Sequence, residues 1–401
     1  MAGADSILWT PLKIGTLTVP NRLVRSATAE AMADGEGRVT EEHVRLYSRL
    51  ARGGVGLIVT GGAYVSPEGR GYRGCLGADS DRLVPGLERL AGTVHREGGL
   101  VMLQLYHGGR QRKPEEGEAV APSAIRDAGY GVVPRPLRPE EIRRIVEDFA
   151  TAARRAVRAG FDGVQIAACN GHLVHQFLSP RTNRRSDEWG GSPSNRRRFL
   201  VEVLRAVRSA VGPDYPVTVK LAVADYLPGG LTPAEALDAC RAAEDAGADA
   251  IEVTGGMYES GLFISRGSIP WDILRSEGAT ARQVPWAARI AQEALFRVLE
   301  RLVGQTRNYY RPAARRVKRV VSVPVAVVGG IRTLGDMEDI LAEGDADLIA
   351  LSRPLVRDPG WPRRLAAGEA TVSTCLSCNR CTVLAGLGRP LRCYAVPERR
   401  T

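Results

Sequence analysis

Three sets of residues in this chain have types and spacings that could do chemistry. The first is a cysteine quartet: Cys375, Cys378, Cys381 and Cys393 follow a C-x2-C-x2-C-x11-C pattern. Two-residue spacers let successive thiolates converge on one centre, and a distant fourth closes its shell. That pattern suits a [4Fe-4S] cluster; zinc and a metal-free remnant are the two alternatives. The second set lies in VAVVGGIRTLGDMEDILAEGDADLIALSRP, residues 325–354, where two apolar strands run into Gly329-Gly330 and Ser352-Arg353. Glycine lets backbone N–H groups approach a phosphate closely, and the following helix start adds its dipole. In a (β/α)8 barrel a phosphate sits at this place, after strands seven and eight. Two ordinary βα turns are the plainer alternative. The third set is Gln104, inside LQLYHGG, and Lys220, inside VTVKLAV. A lysine in an apolar strand is costly unless it meets an anion or an electron-rich ring, or snorkels to the rim. An amide and a cation facing a phosphate site suit flavin mononucleotide. The amide reads the pyrimidine edge, and the cation stabilises negative charge at N1/O2 of the reduced ring.

Eight short apolar runs must position these residues. They fall at 23–28, 55–61, 101–107, 163–169, 217–223, 250–256, 325–330 and 348–354, with helical patterns between most of them. Such runs fit strands buried on both faces, and eight strand–helix units predict a (β/α)8 barrel rather than an open sheet. LWTPLKIGTLTVPNRL, ahead of the first strand, predicts a hairpin closing the bottom of the barrel. The connection from Met257 to Val321 is abnormally long and carries two helical patterns of its own, 283–305 and 312–321. Connections of that length at the C-terminal face shape or cover a site. The expected division is a barrel over 1–365 and a cysteine-cluster extension packed on it over 366–401.

Composition excludes several function classes. Hydrophobic residues make up 44% of the 401 positions, enough for a full core, yet no apolar run approaches a membrane span. The net charge of +10 comes almost wholly from arginine, because the lysines are Lys13, Lys113, Lys220 and Lys318 alone. The arginines alternate with Glu and Asp along helical segments, and their clusters lack interleaved aromatics, so nucleic acid is not an expected partner. The first residues, MAGADSILWTPLKIG, lack the basic-then-apolar order of a signal peptide. Seven cysteines without such a signal fit a reducing, cytoplasmic setting.

The segment NGHLVHQFLSPRTNRRSDEWGGSPSNR, residues 170–196, resembles the old yellow enzyme family of FMN oxidoreductases. The resemblance extends over NRLVRSATAE, GGVGLIVTGGAYVSPEGRG, LQLYHGGRQ, VGGIR and ALSRP, in order and over essentially the whole chain. It implies FMN contacts at Ala27, Thr28, Gly62, Gln104 and Lys220, and phosphate contacts around Gly329, Gly330, Ser352 and Arg353. In the family a His/His or His/Asn pair after strand four holds a substrate carbonyl, and a tyrosine two residues on donates a proton. Here those positions are Ala167, Asn170 and His172, so two of the three differ. Asn170 still offers an amide N–H, and His172 is expected to exchange a proton near neutral pH. His172 and His175 are expected to share a helical face, with His175 structural and satisfied by a carbonyl. His107 is a candidate flavin or substrate contact, and Tyr309 and Tyr310 either line the pocket or anchor the long connection.

The cysteine spacing is similar to a subgroup that includes trimethylamine dehydrogenase and 2,4-dienoyl-CoA reductase. The resemblance implies an FMN-dependent oxidoreductase with NAD(P)H as a transient reductant, and ene-reduction of an activated C=C bond as the first expectation. Alternatives are oxidation of an amine or a C–C bond, and a non-redox lyase or isomerase on a phosphorylated substrate. A chain ending at Thr401 would pass electrons from a cluster to a separate electron-transfer protein, and a homo-oligomer is expected.

Overall fold

A computed structural model describes residues 6–277 and 307–395, together with scattered helical positions between 293 and 303. The eight expected strands all form: β1 (Leu23–Arg25), β2 (Leu57–Tyr64), β3 (Val101–Tyr106), β4 (Gly163–Ala168), β5 (Val217–Ala222), β6 (Ala250–Thr254), β7 (Val325–Val328) and β8 (Leu348–Leu351). Each pairs in parallel with its sequence neighbour, and β8 pairs with β1, so the sheet closes into a (β/α)8 barrel. Closure removes the free edges that an open sheet leaves.

The hairpin forms as expected, with Leu12–Ile14 antiparallel to Leu17–Val19. Its Ile14 and Val19 join Val24, Leu57, Val59, Met102, Ala250, Ala326 and Leu348 in one apolar cluster. The lower barrel is therefore a filled core, and open chemistry is confined to the other end.

The outer helices read as amphipathic. Pro139–Arg158 buries Ile142, Ile145, Val146, Phe149, Ala152, Ala153 and Ala156, a stripe at helical spacing. Proline at its first turn, Glu140 and Glu141 beside it, and Arg155 and Arg158 in its last turn all match the helix dipole. Arg155 and Arg158 both pair with Asp81, so this arginine face is a paired, solvated surface.

The long connection carries helices at Gly261–Ile264 and Trp271–Glu277 before Arg311–Lys318, which realises the second expected pattern. The first, 283–305, lies largely outside the described residues. The C-terminal segment runs back along the barrel: Val372 bridges Thr333, Ser268 N–H donates to the Ser377 carbonyl, and Leu391 N–H donates to the Glu30 carbonyl. Among the described residues no helix is long and apolar enough to cross a membrane.

Candidate flavin and metal site

Strand register brings five polar residues into one buried chain of hydrogen bonds. Gln104 and Gln165 are neighbours on β3 and β4, as are Lys220 and Glu252 on β5 and β6. Gln104 Nε2 donates to Gln165 Oε1 (2.8 Å), and Gln165 Nε2 donates to Glu252 Oε2 (3.1 Å). Lys220 Nζ lies 2.9 Å from Glu252 Oε1 and donates to Ser26 Oγ (2.6 Å), whose hydroxyl donates to Glu252 (2.5 Å). Lys220 and Glu252 are 5% and 3% exposed, so Lys220 stays inside and is matched by a carboxylate. Burying that pair is tolerable because hydrogen bonds from Lys220 to Ser26, and from Ser26 and Gln165 to Glu252, surround it. The arrangement orients Gln104: one of its N–H groups is spent on Gln165, and its Oε1 accepts no side-chain hydrogen bond among the described residues. Sequence reading found Gln104 and Lys220 and missed Gln165, Glu252 and Ser26. A polar residue breaking an apolar strand was the available signal.

The expected first-strand contacts flank this chain. The Ala27 carbonyl accepts from Lys220 Nζ (3.3 Å), and the Thr28 and Ser352 hydroxyls are hydrogen-bonded at 2.8 Å, tying β1 to β8. Gly62 lies beyond a bulge in β2 and is the one half-buried position of that strand. A Cβ there would sit 2.8 Å from the Tyr106 ring, so glycine is what lets Tyr106 lie across the strand. Tyr106, not singled out from the sequence, also stands 5.0 Å from His172, ring to ring, and donates its hydroxyl to Cys75 Sγ (2.8 Å).

The turn after β4 presents Asn170 at φ +56° and then His172. His172 does not share a helical face with His175; it caps the helix Leu173–Leu178 from outside. His175 points the other way and takes a carboxylate rather than a carbonyl. Gly171 N–H donates to its Nδ1 (2.9 Å), so Nε2 carries the proton toward Asp225 Oδ1 (2.7 Å). Burial alone would raise the Asp225 carboxyl, yet His175, Ser179 and the Leu231 N–H together hold it below its ordinary value. This buried relay pins the turn. The Asn170 carbonyl accepts from Gln111 Nε2 (2.8 Å), which fixes the backbone while Asn170 Oδ1 and His172 Nδ1 have no hydrogen-bond partner among the described residues.

His172 is not poised near neutrality as expected. Burial, then the charges of His175, Lys220 and His107, push its pKa down to about 4. A desolvated imidazole beside a lysine resists a second positive charge, so the ring is neutral across the physiological range. His107 is also pushed to about 4, chiefly by burial, and lies beside Glu68 and against Gly69. Its Nδ1 accepts from Gly109 N–H (3.0 Å), so it supports the loops after β2 and β3.

At the ends of β7 and β8, Gly329 has φ +118° and Gly330 φ +76°. A Cβ on Gly329 would meet Tyr309 at 2.6 Å and Tyr310 at 2.9 Å. Tyr310 donates its hydroxyl to the Gly255 carbonyl (2.8 Å), so the two tyrosines anchor the long connection onto the barrel rim. Arg353 and Arg332 are half-buried near each other. Burial first, and the Arg353 charge second, lower the pKa of Arg332. Neither has a carboxylate partner among the described residues, whereas the helix arginines are mostly paired. Two guanidiniums without a carboxylate beside a glycine turn are chemistry that an anion could use.

The four cysteines line a single pocket with Arg353, Arg357 and Asn379. Ser377 and Asn379 take left-handed backbone (φ +52° and +55°), which turns the chain between successive thiols. Arg357 Nη1 lies 3.9 Å from Cys393 Sγ. As they stand, no three acidic, thiol or imidazole side chains among the described residues close on one point as a single ion requires. Four thiols lining one pocket are donor chemistry that an iron–sulfur cluster or zinc could use. Cys75, Cys169 and Cys240 are buried elsewhere, and burial raises their thiols to about 11, 12 and 12.

Comparison with known proteins gives the family and the barrel. The model of the NADH:flavin oxidoreductase / NADH oxidase family matches residues 7–259 and 279–371. A "metal reductase" of Desulforamulus reducens is 39% identical over 94% of this chain and 51% of its own length. An "NADPH dehydrogenase" of a Geobacillus species is 33% identical over 89% of this chain and 93% of its own. The solved complex of 2-naphthoyl-CoA reductase with 2-naphthoyl-CoA superposes with TM-score 0.84 at 28% identity, covering 98% of this chain and 57% of that one. The chain thus spans about half the length of the first of these relatives.

Proposed function

The chain belongs to the NADH:flavin oxidoreductase / NADH oxidase family, and from that premise we propose that it is an FMN-dependent oxidoreductase that draws hydride from NAD(P)H and reduces an activated C=C bond of a small organic substrate. The observation that carries the reading is the pairing of two features at one barrel mouth. One is the buried chain Gln104–Gln165–Glu252–Lys220–Ser26; the other is an anion site at Gly329, Gly330, Arg332 and Arg353. A phosphorylated lyase substrate would use the second and leave the first without purpose.

Bound FMN supplies hydride transfer at its N5. Gln104 Oε1 would accept from the ring, and Lys220 would offset negative charge developing on it. Ala27, Thr28 and Gly62 would hold the ring, and Ser352 would join Gly329, Gly330 and Arg353 at the phosphate. Asn170 binds the substrate oxygen through its amide. His172 holds one proton as a neutral imidazole and exchanges it with the substrate, Tyr106 fixing the plane of its ring. For the pocket formed by Cys375, Cys378, Cys381 and Cys393 we propose a [4Fe-4S] cluster. It would supply one-electron transfer to a further protein module or a separate acceptor.

The test is anaerobic titration of purified protein with NADH and NADPH, followed by enones and amines. Yellow protein bleached by a nicotinamide and reoxidised by an enone supports the reading; reoxidation by none but reduction by an amine would reverse its direction. His172→Phe should lower turnover by about two to four orders of magnitude with flavin content unchanged. Cys375→Ser should remove iron and the broad brown absorbance while leaving the flavin spectrum.

A further inference from the structure

The cysteine loop reaches the proposed flavin phosphate site through one side chain. Asn379 lies between Cys378 and Cys381, is 7% exposed, and accepts from Arg353 Nη1 at 2.6 Å. Its Oδ1 also accepts from Ser265 Oγ (2.9 Å), and its Nδ2 donates to the Ser265 carbonyl (3.0 Å). The amide is therefore clamped from two sides before it meets Arg353. Its backbone is clamped as well, at φ +55°, where it caps the helix Arg380–Gly386. No other hydrogen bond of the Arg353 side chain is formed among the described residues, so this one sets the direction of its guanidinium.

We propose that Asn379 is the positioning residue for the flavin phosphate: it fixes the Arg353 guanidinium, so that retention of FMN depends on the fold of the cysteine loop. The inference rests on the flavin reading above. Its physical basis is entropic and electrostatic. An arginine held in one rotamer gives up its freedom before the ligand arrives, so the phosphate does not have to restrain it. A neutral amide performs that task without cancelling the charge, which a carboxylate in the same place would do. The asparagine is thus the suitable residue on both counts. The link also runs in both directions, since phosphate bound to Arg353 steadies the loop that carries three of the four thiols.

The experiment compares FMN with riboflavin, which has the same ring and no phosphate. Dissociation constants are measured by flavin fluorescence quenching on the deflavinated full chain, for the wild type, Asn379→Ala and Asn379→Asp. Asn379→Ala should weaken FMN about tenfold, the worth of one hydrogen bond to a charged group, and leave riboflavin unchanged. Asn379→Asp keeps the shape and the hydrogen bond from Arg353, gives up the donation to the Ser265 carbonyl and neutralises Arg353, so it should weaken FMN more than tenfold, again without affecting riboflavin. Should Asn379→Ala fail to fold, the isosteric Asp variant decides alone. A preference for FMN over riboflavin that is undiminished in the Asp variant overturns the proposal. Equal losses for both flavins also overturn it, because that outcome marks a general structural role. A wild type that binds neither flavin sinks the flavin reading itself, which is a separate result.

Discussion

His172 offers a prediction whose size can be worked from its surroundings. Its pKa falls from an ordinary 6.5 to about 4, because the half-buried ring loses water and faces the charge of Lys220. The unfolded chain takes up a proton on this ring as pH drops below 6.5, while the folded chain resists until about 4. Folding stability contributed by the neutral ring is therefore intact above pH 7 and lost as pH falls from 6.5 toward 4. The gap of roughly 2.5 units at about 1.4 kcal/mol each gives about 3 kcal/mol below both values. The ring keeps some contact with solvent, and screening trims the figure to about 2 kcal/mol. Urea unfolding of the flavin-free chain, followed by tryptophan fluorescence at pH 7.5 and 4.5, reads the difference. His172→Phe should lose about 2 kcal/mol less than wild type over that interval. An identical loss in the two proteins would refute the claim that the ring is held neutral. The same argument predicts that turnover shows no ionisation of His172 near pH 6.5.

Lys220 and Glu252 share one buried site, so Lys220→Met should destabilise the fold by about 3–5 kcal/mol by stranding the carboxylate, read as the shift in urea midpoint. Glu252→Gln keeps most of the hydrogen bonds and removes the charge opposing Lys220; it should make the flavin reduction potential more positive by about 30 mV, tenfold in the two-electron equilibrium, measured by dye equilibration. Gly329→Ala places a side chain at φ +118° against Tyr309 and should cost about 2 kcal/mol or more, with flavin content falling in step. A purified Gly329→Ala protein of normal stability and colour would show that the tyrosine anchor is dispensable.

Local pattern alone determined the barrel. Apolar runs such as VTVKLAV and LIALSRP report burial on both faces, and a hairpin and helix stripes are legible because their periods lie within a few residues of chain. The cysteine quartet and the two phosphate turns are equally local, each written in one short segment. Register was not legible. That Gln104 meets Gln165, that Lys220 meets Glu252, and that Ser26 closes the chain depend on how strands far apart in sequence align around a closed sheet. The charge state of His172 likewise belongs to its neighbours, since desolvation and a lysine from β5 set it. Asn379 shows the same division: its place between two cysteines is a fact of sequence, and its grip on Arg353 exists only because the C-terminal segment folds back onto the mouth of the barrel.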